Sequence, residues 1–324
     1  VGHYMDIITK IAGELGIRPQ QVGTVARLLD EGNTIPFLAR YRKEMTGELD
    51  EEQLRRIEER LDYLRNLEKR QEEVLRLIEE QGKLTGELAA AVRAATKLQE
   101  VEDLYRPYRP KKRTRATIAR EKGLQPLADL ILAQETVSGA PEDYAAVYVD
   151  PERVVATAAE ALAGAADIAA EQIAEEARFR AALRQLAWEE AVVTADARGE
   201  TPHPVFRMYA NYREPLRKIP PHRILAINRG EREEALAADL AVDHEQMVAR
   251  LQRMVVNRPA SIFTGLLLDA VADGYHRLLW PSLVREIRAE LTARAEAQAI
   301  KIFAVNLRHL LLQPPVRDYR VLGI

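Results

Sequence analysis

Apolar side chains recur every three or four residues along most of this chain, which is the spacing of one face of an α-helix. Between residues 6 and 31 the pattern divides into two short amphipathic segments joined by LGIRP, with Pro19 suited to a first helical turn. The pair is similar to a helix-turn-helix. Because the second segment is not basic, an ordinary helical hairpin is favoured over a helix-turn-helix that enters a DNA groove, and the sequence leaves both interpretations open.

A short helix is predicted next, opened by Thr34-Ile35-Pro36 and stopped near Gly47. The positions expected to form its buried face are Phe37, Leu38, Tyr41 and Met45. Three basic residues lie off that face: Arg40, Arg42 and Lys43. After this helix, Asp50 and Gln53 have the spacing of a capping box, which predicts the start of a long helix.

The pattern changes between residues 201 and 245, where five prolines interrupt the helical periodicity. Arg229-Gly230 separates two apolar runs there, which predicts a small β-hairpin or β-α insertion. From Pro281 one continuous helix is predicted to about Leu312. Its expected buried positions are Ile287, Leu291, Ile300, Phe303, Leu307, Leu310 and Leu311. A helix of some 30 residues spans roughly 45 Å, which favours an elongated protein.

The predicted fold class is therefore mostly α: an elongated multi-helix assembly with helix-turn-helix-like elements, a long C-terminal helix and a small β-hairpin insertion. We expect an N-terminal helical domain with a basic motif, a helical segment, an irregular or β-hairpin insertion, and a helical segment ending in the long helix. Their ranges are residues 6–135, 136–200, 201–245 and 246–314.

Composition narrows the function classes. The chain has no cysteine, which excludes disulfides and thiolate metal sites, and its six histidines are dispersed. No phosphate-binding glycine loop or nucleophile-elbow motif occurs. We therefore expect a protein that is not an enzyme and has no cofactor or metal. No apolar run approaches membrane-spanning length and no secretory signal is visible, so a cytoplasmic location without membrane contact is expected.

One segment differs from its surroundings in charge. The chain carries a net charge of −3, yet from Arg106 to Lys122 there are eight basic residues and one acid, a local charge of +7. Pro107 and Pro110 each push the preceding residue toward an extended conformation, which predicts an extended strap carrying Arg106 and Arg109. Such a strap can follow a phosphate backbone and offer tyrosine rings to bases. Alternatively, its prolines and tyrosines pack on a helical scaffold while its arginines pair with acids; charge density alone does not decide.

The candidate nucleic-acid-binding residues are Arg40, Arg42, Lys43, Tyr105, Arg106, Tyr108, Arg109, Lys111, Lys112, Arg113, Arg115 and Arg120.

Three stretches carry a family resemblance: TIPFLARYRKEMTGELDE, VEDLYRPYRPKKRTRATIAREKGLQPLA and EPLRKIPPHRILAINRGE. They resemble the Tex family of bacterial transcription accessory proteins. The resemblance implies a mostly helical, multidomain nucleic-acid-binding protein, in which this region precedes a YqgF-like RNase-H-type domain, a helix-hairpin-helix segment and an RNA-binding OB-fold domain. On that basis residues 315–324 are expected to be a stub of the truncated YqgF-like domain.

Two functions follow as hypotheses. The first is a non-enzymatic transcription accessory protein, expected to be a monomer, that binds RNA or DNA independently of sequence through phosphate contacts. The second is a scaffold that docks on RNA polymerase or other transcription proteins and positions the C-terminal RNA-binding domains, with the basic segment making protein contacts.

Overall fold

The structure is a computed structural model that describes residues 2–110, 113–199 and 204–314. Within them the chain is mostly helical, with a small antiparallel sheet and a long C-terminal helix, which confirms the predicted fold class in these respects. The chain divides into two compact units, Val1–Arg109 and Pro110–Ile324, and each has its own hydrophobic core.

The first unit is built around one long helix. Its helices are α1 (Gly2–Leu15), α2 (Pro19–Asp30), α3 (Ile35–Tyr41), α4 (Glu51–Glu80), α5 (Gly86–Ala94) and α6 (Leu98–Tyr105), followed by a 3-10 turn, Arg106–Tyr108. The predicted capping box opens α4: the Asp50 carboxylate accepts from the Gln53 amide at 2.7 Å, and the Gln53 side chain accepts from the Asp50 amide at 3.0 Å. The predictions of α1, α2 and the start of α4 are confirmed, because each is determined by local sequence signals.

The predicted buried face of α3 is confirmed at Leu38 and wrong at its other three positions. Ile35 and Leu38, one turn apart, are the buried residues of this helix, whereas Phe37, Tyr41 and Met45 are 38%, 70% and 46% exposed. The helix ends at Tyr41 rather than near Gly47. Because it makes only two turns, one pair of residues is enough to anchor it, and Met45 lies beyond its end.

The second unit surrounds an alanine-rich helix. Its elements are α7 (Arg115–Glu121), α8 (Gln125–Ala133), α9 (Pro141–Ala145), α10 (Ala158–Glu175), α11 (Ala177–Glu190), β1 (Val192–Ala197), β2 (Asn211–Pro215), α12 (Pro221–Arg232), β3 (Leu236–Ala241), α13 (His244–Val255), α14 (Thr264–Gly274) and α15 (Trp280–Leu311). Small residues let α14 approach α10 closely: a Cβ on Gly274 would lie 2.7 Å from the Ala170 carbonyl oxygen.

The β element has three strands in the order β2-β1-β3, all neighbours antiparallel, rather than the two of a hairpin. Its central strand precedes the predicted insertion. Arg229-Gly230, expected at a turn, lies inside α12. A Cβ on Gly230 would lie 2.5 Å from Leu236 Cδ1, so the glycine permits close packing of the helix against the sheet instead of forming a turn.

The C-terminal helix is longer than predicted. A π-helical turn, Tyr275–Leu279, joins α14 to α15 into one helix of 48 residues, so Pro281 does not start a new helix. A π turn loosens the hydrogen-bond ladder before the proline, which lacks an amide hydrogen.

Only part of the expected buried stripe of α15 is buried. Ile287 and Leu291 pack in the core as predicted. The remaining predicted positions are exposed: Ile300, Phe303, Leu307, Leu310 and Leu311. The spacing identified an apolar face correctly, but burial requires another element to cover that face, and in the described residues the core contacts of α15 end at Ala295.

Candidate nucleic-acid interface

The last turn of α3 and the residues after it carry a group of exposed cations and rings. We call Phe37, Arg40, Tyr41, Arg42 and Lys43 the α3 patch; all five are exposed. The Phe37 and Tyr41 ring centroids are 5.3 Å apart, and the Arg42 guanidinium carbon lies 5.8 Å from the Phe37 centroid. Buried Leu38 anchors this helix, so the patch is held on an ordered element.

Neighbouring acids offset part of the charge of the α3 patch. Lys43 Nζ lies 3.6 Å from Glu48 Oε2, with both side chains largely exposed. Exposed ion pairs of this kind contribute little stability and are easily exchanged for other partners. The candidates Arg40, Arg42 and Lys43 therefore remain accessible to an anionic ligand.

The Tyr105–Arg109 segment is not the extended strap that the prolines predicted. Arg106 has helical dihedrals, φ −51° and ψ −44°, and begins the 3-10 turn that continues α6. Pro107 is tolerated because the first turn of a helix needs no amide donor at that position. Only Arg109 is extended, with φ −65° and ψ 141°.

Most candidates in this segment are engaged within the first unit. Tyr105 is buried, and Tyr108 is half-buried against the core. Arg109 forms an ion pair with Glu102, which also accepts from Arg70 Nε at 2.6 Å. Arg106 is half-buried. The tyrosine rings therefore pack rather than face solvent, as the second interpretation of the segment expected.

In the second unit, the Arg120 side chain forms an ion pair with a buried carboxylate. Its guanidinium Nη1 lies 2.8 Å from the carboxylate of Glu171 on α10, and the Glu171 side chain is only 5% exposed. The Thr114 hydroxyl, at the N-cap of α7, donates to the same carboxylate at 2.9 Å. These contacts fix α7 on α10.

The other candidates of the second unit are more accessible. Arg113 pairs with Glu121 at 3.0 Å, but both side chains are largely exposed. Arg115 is exposed at the start of α7. Burial raises the pKa of nearby Asp167, and the charges of Arg277 and, to a smaller extent, Arg115 offset part of that rise. Lys111 and Lys112 lie outside the described residues, as do residues 315–324.

The Gln21 side chain connects the helix-turn-helix-like segment to the loop that follows α3. The Gln21 side chain, in the first turn of α2, donates to the Gly47 carbonyl oxygen at 2.8 Å. The N-terminal turn of α2 therefore packs against the loop after α3.

Sequence reasoning missed a polar contact in the second unit. His244 Nδ1 lies 2.8 Å from the hydroxyl of buried Tyr275, and the His244 and His276 rings are 5.8 Å apart. Burial raises the pKa of the Tyr275 phenol, which keeps it protonated. No sequence signal connects two residues so far apart; the contact fixes α13 against the π turn.

In the parts of the chain that the structure describes, no group of three or more His, Asp or Glu side chains is arranged to hold a metal ion. None of the helices described is long and apolar enough to cross a membrane.

The fold and the candidate interface define a class: a mostly helical protein with exposed basic patches. Residues 5–79 match the Tex-like protein N-terminal domain, and residues 136–303 match the Tex central region-like domain. The chain belongs to the Tex family.

Similar full-length proteins extend this comparison. The chain is 45% identical over 97% of its length to YdcI of Bacillus subtilis, and 40% identical over 99% to Transcriptional accessory protein Tex of Neisseria gonorrhoeae. It is 29% identical over 98% to human S1 RNA-binding domain-containing protein 1. The chain spans 44%, 43% and 33% of these three relatives.

Proposed function

We propose that this chain is the N-terminal part of a non-enzymatic, cytoplasmic transcription accessory protein that contacts nucleic acid through phosphates, independently of sequence. The names of two relatives, one a transcriptional accessory protein and one an S1 RNA-binding protein, agree with this proposal. The observation that carries it is the α3 patch, where three exposed cations lie together, Arg40 on the anchored helix and Arg42 and Lys43 directly after it.

The accessible cations of the proposal are fewer than the sequence suggested. In the first unit these are the cations of the α3 patch, and in the second unit Arg113 and Arg115 are exposed. The candidates Lys111 and Lys112 lie outside the described residues. Arg120 contributes little, because its guanidinium holds the buried Glu171 carboxylate.

Salt dependence tests the proposal. Each phosphate contact contributes about −0.7 to the slope of log K against log salt for a single strand and about −0.9 for duplex DNA. Replacing Arg40, Arg42 and Lys43 together with Gln should therefore make the single-strand slope less steep by about 2. The measurement is fluorescence anisotropy of labelled RNA and DNA strands between roughly 50 and 200 mM salt.

A control with the same charge change is available in the first unit. Arg55, Arg76 and Lys83 are exposed and outside the patch, so their joint replacement by Gln should leave the slope close to that of the parent. Equal losses in both triple variants would mean that net charge, not the patch, determines binding. No change in the patch variant would contradict the proposal.

A second function, a scaffold for transcription proteins, is favoured by a different observation. The apolar face of α15 beyond Ala295 is exposed, including Ile300, Phe303 and Leu307. Arg109 is also paired with Glu102, as the scaffold hypothesis expected. In this reading the helices position other domains or dock on RNA polymerase, and the chain itself contributes little affinity for nucleic acid.

Binding to purified RNA polymerase core enzyme separates the two functions. The scaffold hypothesis expects Phe303→Ser to weaken that binding while nucleic-acid affinity stays unchanged. Sedimentation of the chain alone tests the monomeric state that we propose. Polymerase binding that is absent, or unaffected by the substitution, would contradict docking through this face.

A further inference from the structure

Two aromatic rings of the α3 patch are exposed where the sequence predicts a buried face. Tyr41 is 70% exposed, and its ring lies 5.3 Å from that of Phe37, one helical turn before it. The helix does not need these rings for its own packing, since Ile35 and Leu38 supply its buried contacts. Large rings in water are unfavourable unless a ligand covers them.

The charges around the rings identify the chemistry of such a ligand. Arg40, Arg42 and Lys43 are exposed beside them, while Glu44 and Glu48 are the acids in the following turn. A surface that offers both flat rings and several cations is complementary to a chain with anionic groups and flat bases. The Arg42 guanidinium near the Phe37 ring adds a second planar group.

Single-stranded nucleic acid offers both phosphates and accessible flat bases, whereas a duplex offers the phosphates but not the faces of its bases. In a duplex each base is already stacked between its neighbours, so an exposed ring can reach only phosphates. In a single strand a base can leave its neighbours and stack on an aromatic side chain, which contributes about 1–3 kcal/mol per base. Tyr41 is 70% exposed, so its side chain is accessible to such a base.

We propose that Phe37 and Tyr41 form a base-stacking platform for single-stranded RNA or DNA, with Arg40, Arg42 and Lys43 holding the adjoining phosphates. This inference rests on the proposed function and adds to it a preference for unpaired bases. Tyr41 is the principal stacking residue because it is the more exposed ring, and Phe37 supports it from one helical turn away.

The test compares strands that share a backbone but differ in bases. The chain and its Phe37→Leu/Tyr41→Leu variant are titrated with an oligothymidylate, an abasic strand of the same length, and a duplex. We expect the variant to bind the oligothymidylate at least about tenfold more weakly, while its affinity for the abasic strand and the duplex changes less than about twofold. Tyr63→Leu is a control outside the patch: its ring also lies 4.8 Å from a guanidinium, that of Arg60, but is half-buried against the core, so this variant should keep the parent's affinity for all three ligands.

A photocrosslinking experiment supplies a second measurement. A strand containing 4-thiothymidine, irradiated with the parent chain, should crosslink to the peptide that contains Tyr41. The exposed positions of both rings predict that the double variant keeps the melting temperature of the parent, so a loss of binding is not a loss of folding.

The outcomes separate the inference from the proposed function. Unchanged affinity of the double variant for the oligothymidylate would overturn the platform. Equal losses for all three ligands would overturn it as well, since base stacking would not be involved. The Gln triple variant of the patch tests phosphate binding separately: if it weakens abasic-strand binding while the Leu double variant has no effect on any ligand, the proposed function stands and the platform fails.

Discussion

Removing the Arg120 guanidinium should destabilise the second unit and leave nucleic-acid binding intact. Arg120 neutralises the Glu171 carboxylate at 2.8 Å, and the Glu171 side chain is 5% exposed. An Arg120→Met substitution keeps most of the aliphatic volume and removes the charge. It therefore removes the 2.8 Å ion pair of a buried carboxylate, which keeps the hydrogen bond from the Thr114 hydroxyl and the charge interaction with Arg277.

The magnitude follows from the burial of the two partners. Breaking a fully buried ion pair costs about 3–5 kcal/mol. The Arg120 side chain is 32% exposed, so water compensates part of that cost and we expect about 2 kcal/mol. For a unit of 150–250 residues, this corresponds to a fall in melting temperature of roughly 4–8 °C.

Thermal unfolding followed by circular dichroism measures this fall in melting temperature. Two further variants show whether the loss of the ion pair causes it. Arg113→Met is the control: its partner Glu121 is largely exposed, so a change within about 0.5 kcal/mol is expected. The double variant Arg120→Met/Glu171→Leu removes both charges and should recover most of the lost stability. An unchanged melting temperature for Arg120→Met together with weaker oligonucleotide binding would refute the structural role and return Arg120 to the interface.

Three other predictions concern stability measured by urea unfolding. Ile287→Ala should lower the free energy of unfolding by about 2–5 kcal/mol. Phe303→Ala, on the exposed part of α15, should change it by less than about 0.5 kcal/mol. A similar loss for both substitutions would mean that Phe303 is buried. Val154 is exposed with φ +60°, so Val154→Asn should stabilise by about 1 kcal/mol, and a loss would contradict backbone strain there. The hydrogen bond from Arg60 lowers the pKa of the Glu14 carboxyl. The stability that this pair contributes is therefore present above the unfolded-state pKa of Glu14 and is lost as pH falls through the folded-state pKa. Glu14→Gln should make the loss of stability at acid pH less steep, and a variant whose stability falls in parallel with that of the parent would contradict this.

Local signals made part of the fold predictable. Pro19 and the Asp50-Gln53 capping box determine helix starts through contacts within one turn, and both are where the sequence indicates. The prediction of an extended strap at Arg106 was wrong because packing contacts outweighed the local signal. A proline disfavours helical dihedrals in the residue before it, but α6 and the packing of Tyr105 hold Arg106 in a helical turn.

Periodicity proved sufficient to find apolar faces but not to say which are buried. The apolar stripe on α15 runs through Leu291 and continues at Ile300 and Phe303, yet among the described residues only its first part has elements packed on it. The same reasoning failed on α3, where Phe37 and Tyr41 share a helical spacing without sharing a core. Burial depends on distant parts of the chain, which a local pattern does not contain.

The distribution of charge along the sequence also overstated the accessible charge of the basic segment. Arg109 pairs with Glu102, which is close in sequence and could have been considered a partner. Arg120 pairs with Glu171, which is distant in sequence and gives no local signal. The α3 patch carries fewer charges, but its cations are exposed and accompanied by aromatic rings, so it is the stronger candidate for binding. Accessibility of each guanidinium, more than charge density, decides which basic residues can meet a phosphate.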